Sequence, residues 1–145
     1  MTISKYSLPQ AERINSKKQI DRLFRGGGSK AMTASPLRVV YMAEERGKEV
    51  REPLAQMMVS VPKRYFKRAV KRNLIKRQVR EAYRLNKHIL VDRLSLMDNI
   101  GVSMCFIWTA DRICNMTEVG ERMSNLLQRI AERIERDSKN VEAKE

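Results

Sequence analysis

The sequence predicts a small α+β domain in which about three helices pack against one mixed or antiparallel sheet. Three runs of apolar, β-branched and aromatic residues, at 37–42, 55–61 and 103–109, are typical of strands. Helical patterns precede, separate and follow these runs, which gives an αβββαβα-type order once a short strand near 30–33 is included. The chain has 145 residues, 42% of them hydrophobic, a globular rather than a disordered composition.

The first helix is predicted at 16–25. Ser16 is a suitable N-cap, and Ile20, Leu23 and Phe24 follow the i, i+3, i+4 spacing of one helix face. Three glycines at 26–28 then stop the helix.

The strands at 37–42 and 55–61 are separated by a charged loop at 44–53, which predicts an antiparallel hairpin. The run at 103–109 is almost continuously apolar, as expected of a strand buried on both faces or in the centre of a sheet.

A long basic helix is predicted at 63–84, and the segment 85–101 has room for one further short helical piece. The last helix is amphipathic, with apolar residues at Val119, Met123, Leu126, Leu127, Ile130 and Ile134. We expect a single domain over 1–137 and a frayed tail over 138–145.

Charge indicates the kind of partner. Thirty Lys and Arg against seventeen Asp and Glu give a formal net charge of +13, which favours a polyanionic partner, nucleic acid before membrane or acidic protein. The segment 63–80 has nine of these cations and no acidic residue: Lys63, Arg64, Lys67, Arg68, Lys71, Arg72, Lys76, Arg77 and Arg80.

The basic helix separates into two arcs. Arg72, Asn73, Lys76, Arg77, Arg80 and Arg84 share one arc, and Ile75, Val79 and Ala82 share the neighbouring arc, which can dock on the sheet. A solvated cationic helix would look similar, but it usually intersperses Glu with Lys, and guanidinium groups suit phosphate better than ammonium groups do. An anionic membrane is disfavoured because the apolar arc lacks bulky side chains. Asn73 adds a donor and an acceptor that suit a base edge or a 2′-hydroxyl.

The sequence disfavours a membrane-spanning segment, a metal site and a nuclease centre. No apolar run is long enough to span a bilayer and no signal peptide is evident, so we expect a cytoplasmic protein. Cys105 and Cys114 lack metal-site spacing, and His88 is the sole histidine. Asp92, Asp98 and Asp111 are scattered, so a nuclease centre within this chain is not indicated.

The run KRAVKRNLIKRQVREAY at 67–83 resembles the arginine-asparagine-arginine helix of the bacterial ribonuclease P protein component. The resemblance extends over most of the chain. It includes Leu8-Pro9, Arg13-Ile14, Leu23-Phe24-Arg25 before glycine, Tyr41 at a strand end and Val59-Ser60-Val61 before Lys63.

The resemblance implies a ribosomal-protein-S5-domain-2-like fold with a left-handed βαβ crossover, although general topology favours the right-handed form. It implies endoribonuclease activity in a ribonucleoprotein whose catalytic centre is in the RNA, with Mg²⁺ bound mainly by that RNA. The implied partners are the ribonuclease P RNA and the 5′ leader of precursor tRNA, with no membrane and no DNA. The RNA-contacting set is Lys63, Arg64, Lys67, Arg68, Lys71, Arg72, Asn73, Lys76, Arg77 and Arg80. The leader-binding cleft set is Arg13, Lys18, Phe24 and Tyr41.

Three departures from the family pattern bear on this interpretation. Leu74 takes the third position of the arginine-asparagine-arginine triplet, Ile20 stands where an aromatic is usual, and Tyr65-Phe66 replaces a glycine before the helix. The two aromatics could stack on RNA or pin the loop to the core. The alternative functions are a general basic RNA-binding protein, ribosomal or chaperone-like, and an autonomous metal-dependent nuclease.

Overall fold

The computed structural model describes residues 7–46, 53–97 and 99–143 of the chain, with side chains through 139. A turn of 3-10 helix at Gln10–Glu12 comes first. The other elements are α1 Lys17–Arg25, β1 Lys30–Ala34, β2 Leu37–Glu45, β3 Ala55–Ser60, α2 Ala69–Asn86, α3 His88–Leu94, β4 Ile100–Trp108 and α4 Met116–Ala143. This order confirms the α+β prediction, the short extra strand and the short extra helix.

The four strands form one mixed sheet in the order β1-β2-β4-β3. β4 is antiparallel to β2 and parallel to β3, so it lies in the centre, as its apolar sequence predicts. The predicted hairpin of β2 and β3 is therefore wrong: β4 lies between them. The physical reason is that the most apolar strand gains most from burial between two neighbours. The handedness of the β3-α2-β4 crossover stays a prediction.

The main core lies on one face of the sheet, under α2 and α4. Alternate strand residues such as Val39 on β2, Met57 on β3 and Phe106 on β4 point into it. The predicted apolar stripe of α4, from Val119 to Ile134, is buried there in full. A second, smaller cluster on the opposite face packs α1 against the sheet through Leu23, Met42 and Cys105.

The ends of the helices differ from the sequence prediction at two places. α1 begins as predicted, with the Ser16 hydroxyl accepting a hydrogen bond from the Gln19 amide at 3.4 Å. α2 begins at Ala69 rather than at residue 63, because 63–65 form a turn and Arg68 occupies the N-cap position in an extended conformation. α4 continues to Ala143, so the tail expected to fray from residue 138 is helical as far as the structure describes it. Residues 144 and 145 lie outside the described part.

Candidate nucleic-acid interface

The core fixes the direction in which α2 presents its cations. Ile75, Val79 and Ala82 are fully buried, as predicted, so the opposite side of the helix faces solvent. Arg77 and Asn73 are exposed on that side, and Arg80 is partly buried. With Lys76 these residues form a surface of positive charge without an acidic residue, which we call the α2 cationic surface.

The turn that leads into α2 is attached to the core by aromatic residues. Phe66 is buried in the main core, and Tyr65 is partly buried against it. The Arg64 guanidinium lies 4.9 Å from the centre of the Tyr65 ring, a cation–π contact. Of the two possibilities raised by the sequence, the structure shows the one in which these aromatics pin the loop.

Arg72 stabilises the same turn. One of its terminal nitrogens donates hydrogen bonds to the carbonyl oxygens of Phe66 at 2.8 Å and Lys67 at 2.9 Å. Because Arg68 makes no side-chain capping bond, Arg72 connects the start of the helix to the segment before it. Lys63, Lys67, Arg68 and Lys71 are exposed around this turn and extend the positive surface.

Arg13 adds charge to the edge of the interface. Its backbone forms an isolated β-bridge with Met57 at the outer edge of β3. Its charge lies close enough to Arg80 for the two guanidinium groups to repel each other. Burial lowers the pKa of Arg80, and repulsion by Arg13 lowers it further. Arg13 also lines a cleft of about 560 Å³ with Gln19 and Gln56. The residue therefore lies between α2 and α1.

A second region lies on the opposite face of the sheet, beside α1. Leu23 fills the small core there, so its neighbour Phe24 is left 49% exposed. On one flank of α1, Gln19 donates hydrogen bonds to Gln56 at 2.7 Å and to Ser103 at 3.1 Å. Phe24 lies on the other flank, one turn after Ile20.

Beyond that flank the sheet is incompletely covered. Val40, Met58 and Ile107 are partly buried and point to this face, together with Arg38, which is exposed and paired in register with Ile107. We call these four residues the open sheet face. Sequence reasoning missed Arg38, although the alternation along β2 puts it on the same side as Val40 and Met42.

Three of the predicted cleft residues lie away from Phe24. Tyr41 is 2% exposed and belongs to the main core under α4, on the face opposite to Phe24. Burial raises the pKa of its hydroxyl, which lies near Arg133 and Asp137. Strand alternation explains this position, because Val40 and Met42 point towards α1 and Tyr41 must point away. Lys18 is exposed on the solvent side of α1, and Arg13 lies across α1 from Phe24.

Metal-binding groups are not gathered in the part of the chain that the structure describes. Within it there is no cluster of three or more His, Cys, Asp or Glu suited to a metal ion. Asp98 lies outside the described residues. Both cysteines are buried and free, and burial raises the pKa of Cys105 to about 12, which keeps it a thiol.

No described helix has the length and apolar character that a membrane crossing requires. The fold and its surfaces thus define a basic α+β domain of the nucleic-acid-binding class, with cations on one helix and an open apolar sheet face.

Comparison with known proteins narrows this class. The ribonuclease P family model matches residues 8–130. The ribonuclease P protein component of Porphyromonas gingivalis ATCC 33277 is 42% identical over 126 residues, which cover 87% of this chain and 88% of that protein. The chain belongs to the ribonuclease P protein family. Its function is that of a protein component of ribonuclease P, and the ribonuclease activity is that of the assembled enzyme.

Solved structures agree on the fold. The Staphylococcus aureus RNase P protein superposes with a TM-score of 0.60 at 18% identity, covering 82% of this chain and 94% of that one. The RNase P protein of Thermotoga maritima gives a TM-score of 0.60 at 22% identity, covering 81% and 96%.

Proposed function

We propose that the α2 cationic surface binds the catalytic RNA of ribonuclease P, and that the open sheet face holds the 5′ leader of precursor tRNA. The observation that carries the proposal is the arrangement of α2. Its buried side anchors the helix, and its solvent side presents Arg77, Asn73 and their neighbours, while the acidic Glu81 lies one turn after Arg77 and is paired with Arg84.

The chemistry of the α2 cationic surface fits a structured RNA. Such RNA is bound through phosphates and shape, and guanidinium groups make bidentate contacts with phosphate oxygens. The anchored turn before α2 holds Arg64 and Arg72 in fixed positions, so less conformational entropy is lost on binding. Lys63, Lys67, Arg68, Lys71, Lys76 and Arg80 complete the proposed contact set.

The open sheet face fits a single strand. A splayed base can stack on Phe24, and further bases can lie on the aliphatic floor made by Val40, Met58 and Ile107. Arg38 supplies a cation at the end of that floor. Ser60, the last residue of β3, lies at the same end, so the path continues towards the basic turn.

In this proposal the RNA and its Mg²⁺ ions perform the cleavage, in the cytoplasm, and the protein lowers phosphate repulsion and positions the substrate. The protein's cations would thereby reduce the Mg²⁺ concentration that the complex needs. No DNA or membrane is part of it.

The test is cleavage of a leader-bearing precursor tRNA at low Mg²⁺ by the cognate RNA alone, the protein alone and the mixture. We expect cleavage in the mixture and little or none in either component. If the protein adds nothing, the proposed role fails and a general RNA-binding role replaces it. If the protein cuts unaided, catalysis belongs to this chain and the proposed division of labour is wrong.

Two substitutions test whether the lower Mg²⁺ requirement depends on α2. Arg77→Ala is expected to raise the Mg²⁺ requirement of the mixture, because Arg77 is an exposed cation of the proposed contact surface. Arg136→Ala removes an exposed arginine from α4 and serves as the matched control. Equal effects of the two substitutions would show that net charge, rather than the α2 surface, matters.

A further inference from the structure

The flank of α2 that faces α4 carries exposed apolar residues among cations. Val70 is 80% exposed and Leu74 is 41% exposed. They are four residues apart, so their side chains lie on one stripe of the helix. The exposed residues of α2 also include Lys71 and Arg77, so the pair lies among cations.

The connection between β4 and α4 lies beside this stripe. Gln78, one turn after Leu74, donates a hydrogen bond from its side-chain amide to the carbonyl oxygen of Cys114 at 3.2 Å. This bond holds the connection against α2, and the residue before Cys114 is the exposed Ile113. We call Val70, Leu74 and Ile113 the apolar patch.

Positive charge borders the α2 side of the apolar patch, where Lys71 and Arg77 flank it. On the other side, Arg112 precedes Ile113 and is paired with Glu118 at 3.3 Å. A second copy of this chain would bring like charges together, at +13 per copy, so self-association is disfavoured. The partner of the patch is therefore anionic and must also offer an apolar surface.

We propose that the apolar patch packs against an unstacked base of the RNA partner, at the border of the phosphate contacts made by the α2 cationic surface. An aliphatic side chain gains nothing from a phosphate, whereas the flat face of a base offers apolar area. In a paired helix these faces are hidden in the stack. The contacted nucleotide is therefore unpaired. This inference rests on the proposed function, and it names the RNA feature that α2 recognises beside phosphates.

The test compares salt dependence of binding between protein variants and the cognate ribonuclease P RNA. Leu74→Ala is expected to weaken binding about five- to tenfold at every salt concentration, because apolar contact is lost. The slope of log K against log salt should stay unchanged, since no cation is removed. Arg77→Ala should instead make that slope shallower by about one. Leu74→Ala also leaves the helix intact, because alanine favours helix and Leu74 is not a core residue.

Leu85→Ala is the matched control, because Leu85 is 44% exposed on the same flank of α2 but outside the apolar patch. It should bind like the parent chain. Unchanged binding by Leu74→Ala, or equal losses in both variants, would overturn the inference. Tighter binding with a steeper slope for Leu74→Lys would also overturn it, because a phosphate would then lie at this position.

The outcomes separate the two proposals. If the parent chain does not bind the RNA, the proposed function fails. If Arg77→Ala changes the slope while Leu74→Ala changes nothing, the proposed function stands and the base contact is wrong.

Discussion

Lys87 is a charged side chain in a buried position, at 6% exposure, where α2 ends and α3 begins. Its ammonium group lies 2.7 Å from the Glu12 carboxylate and also donates to the carbonyl oxygen of Ser7. These bonds tie the beginning of the described chain to the helical layer. Because the partners are far apart in sequence, no spacing rule could have paired them.

Removing the ammonium group should be costly. Lys87→Ala is expected to lower the free energy of unfolding by about 3 kcal/mol, because the Glu12 carboxylate, only 12% exposed, loses its partner. Urea unfolding followed by circular dichroism measures this. The double substitution Lys87→Met with Glu12→Leu should recover most of the loss, and a loss under about 1 kcal/mol for Lys87→Ala would contradict the account.

Phe24 and Leu23 are neighbours with opposite roles, since Leu23 fills the small core and leaves Phe24 exposed. Phe24→Ala should weaken binding of a leader-bearing precursor tRNA to the assembled enzyme about tenfold, the loss of one base stack. Affinity for a substrate without a leader should not change. Leu96→Ala, which removes another exposed apolar side chain, is the control. A loss that is the same for both substrates would place Phe24 outside the leader site.

Among the elements, α3 and α4 are joined by a two-bond ion pair. Arg93 donates to both oxygens of Glu135, at 2.7 and 2.8 Å. The hydrogen bond from Arg93 lowers the pKa of Glu135 below its usual value. The pair lies near the surface, so its contribution to stability is modest.

This pair predicts a pH dependence. Glu135→Gln should destabilise the protein by about 0.5 kcal/mol at neutral pH, the value of a partly exposed ion pair. Because the pKa of Glu135 is lower in the folded than in the unfolded state, the ion pair stabilises the fold at pH values above the unfolded-state pKa of about 4.3. This stabilisation is lost as the pH falls through the folded-state pKa. Thermal melts of both proteins across acidic pH should therefore converge. A difference that grows in acid would refute the assignment.

The elements show how far local sequence patterns reach. The cap at Ser16, the apolar stripe of α4 and the central position of β4 could all be predicted, because each depends on residues close in sequence. The pairing of β2 with β3 was predicted wrongly, since strand neighbours are decided by long-range burial. Tyr41 was predicted on the wrong face of the sheet. The resemblance matches its position in the sequence, but it does not indicate which face of β2 its side chain occupies.

Across the whole molecule, the main cationic surface and the open apolar surface lie on opposite sides of the sheet. The α2 cationic surface lies on the side of the main core, and the open sheet face lies on the side of α1. Composition predicted the first surface, whereas Arg38 became visible only when the strand phase was known. In the proposed function, the two faces would hold two RNA segments at once.

Binding of the RNA subunit should depend steeply on salt. If about five to eight phosphates are neutralised, the slope of log K against log salt should be roughly −4 to −7. A filter-binding titration in a potassium chloride series measures this slope. A slope shallower than about −2 would show that the α2 cationic surface makes few phosphate contacts.

The central position of β4 has a consequence for synthesis on the ribosome. β4 is translated last of the four strands, yet β2 and β3 each pair with it. Translation from the end of β3 to Trp108 takes about 2–10 s at about 5–20 residues per second. During this time the nascent chain has two unpaired strand edges, those of β2 and β3, that both pair with β4 in the finished fold. A pause in that interval would leave these edges open to pairing with other chains. Rapid completion of β4 would therefore shorten the time in which these edges are open to other chains.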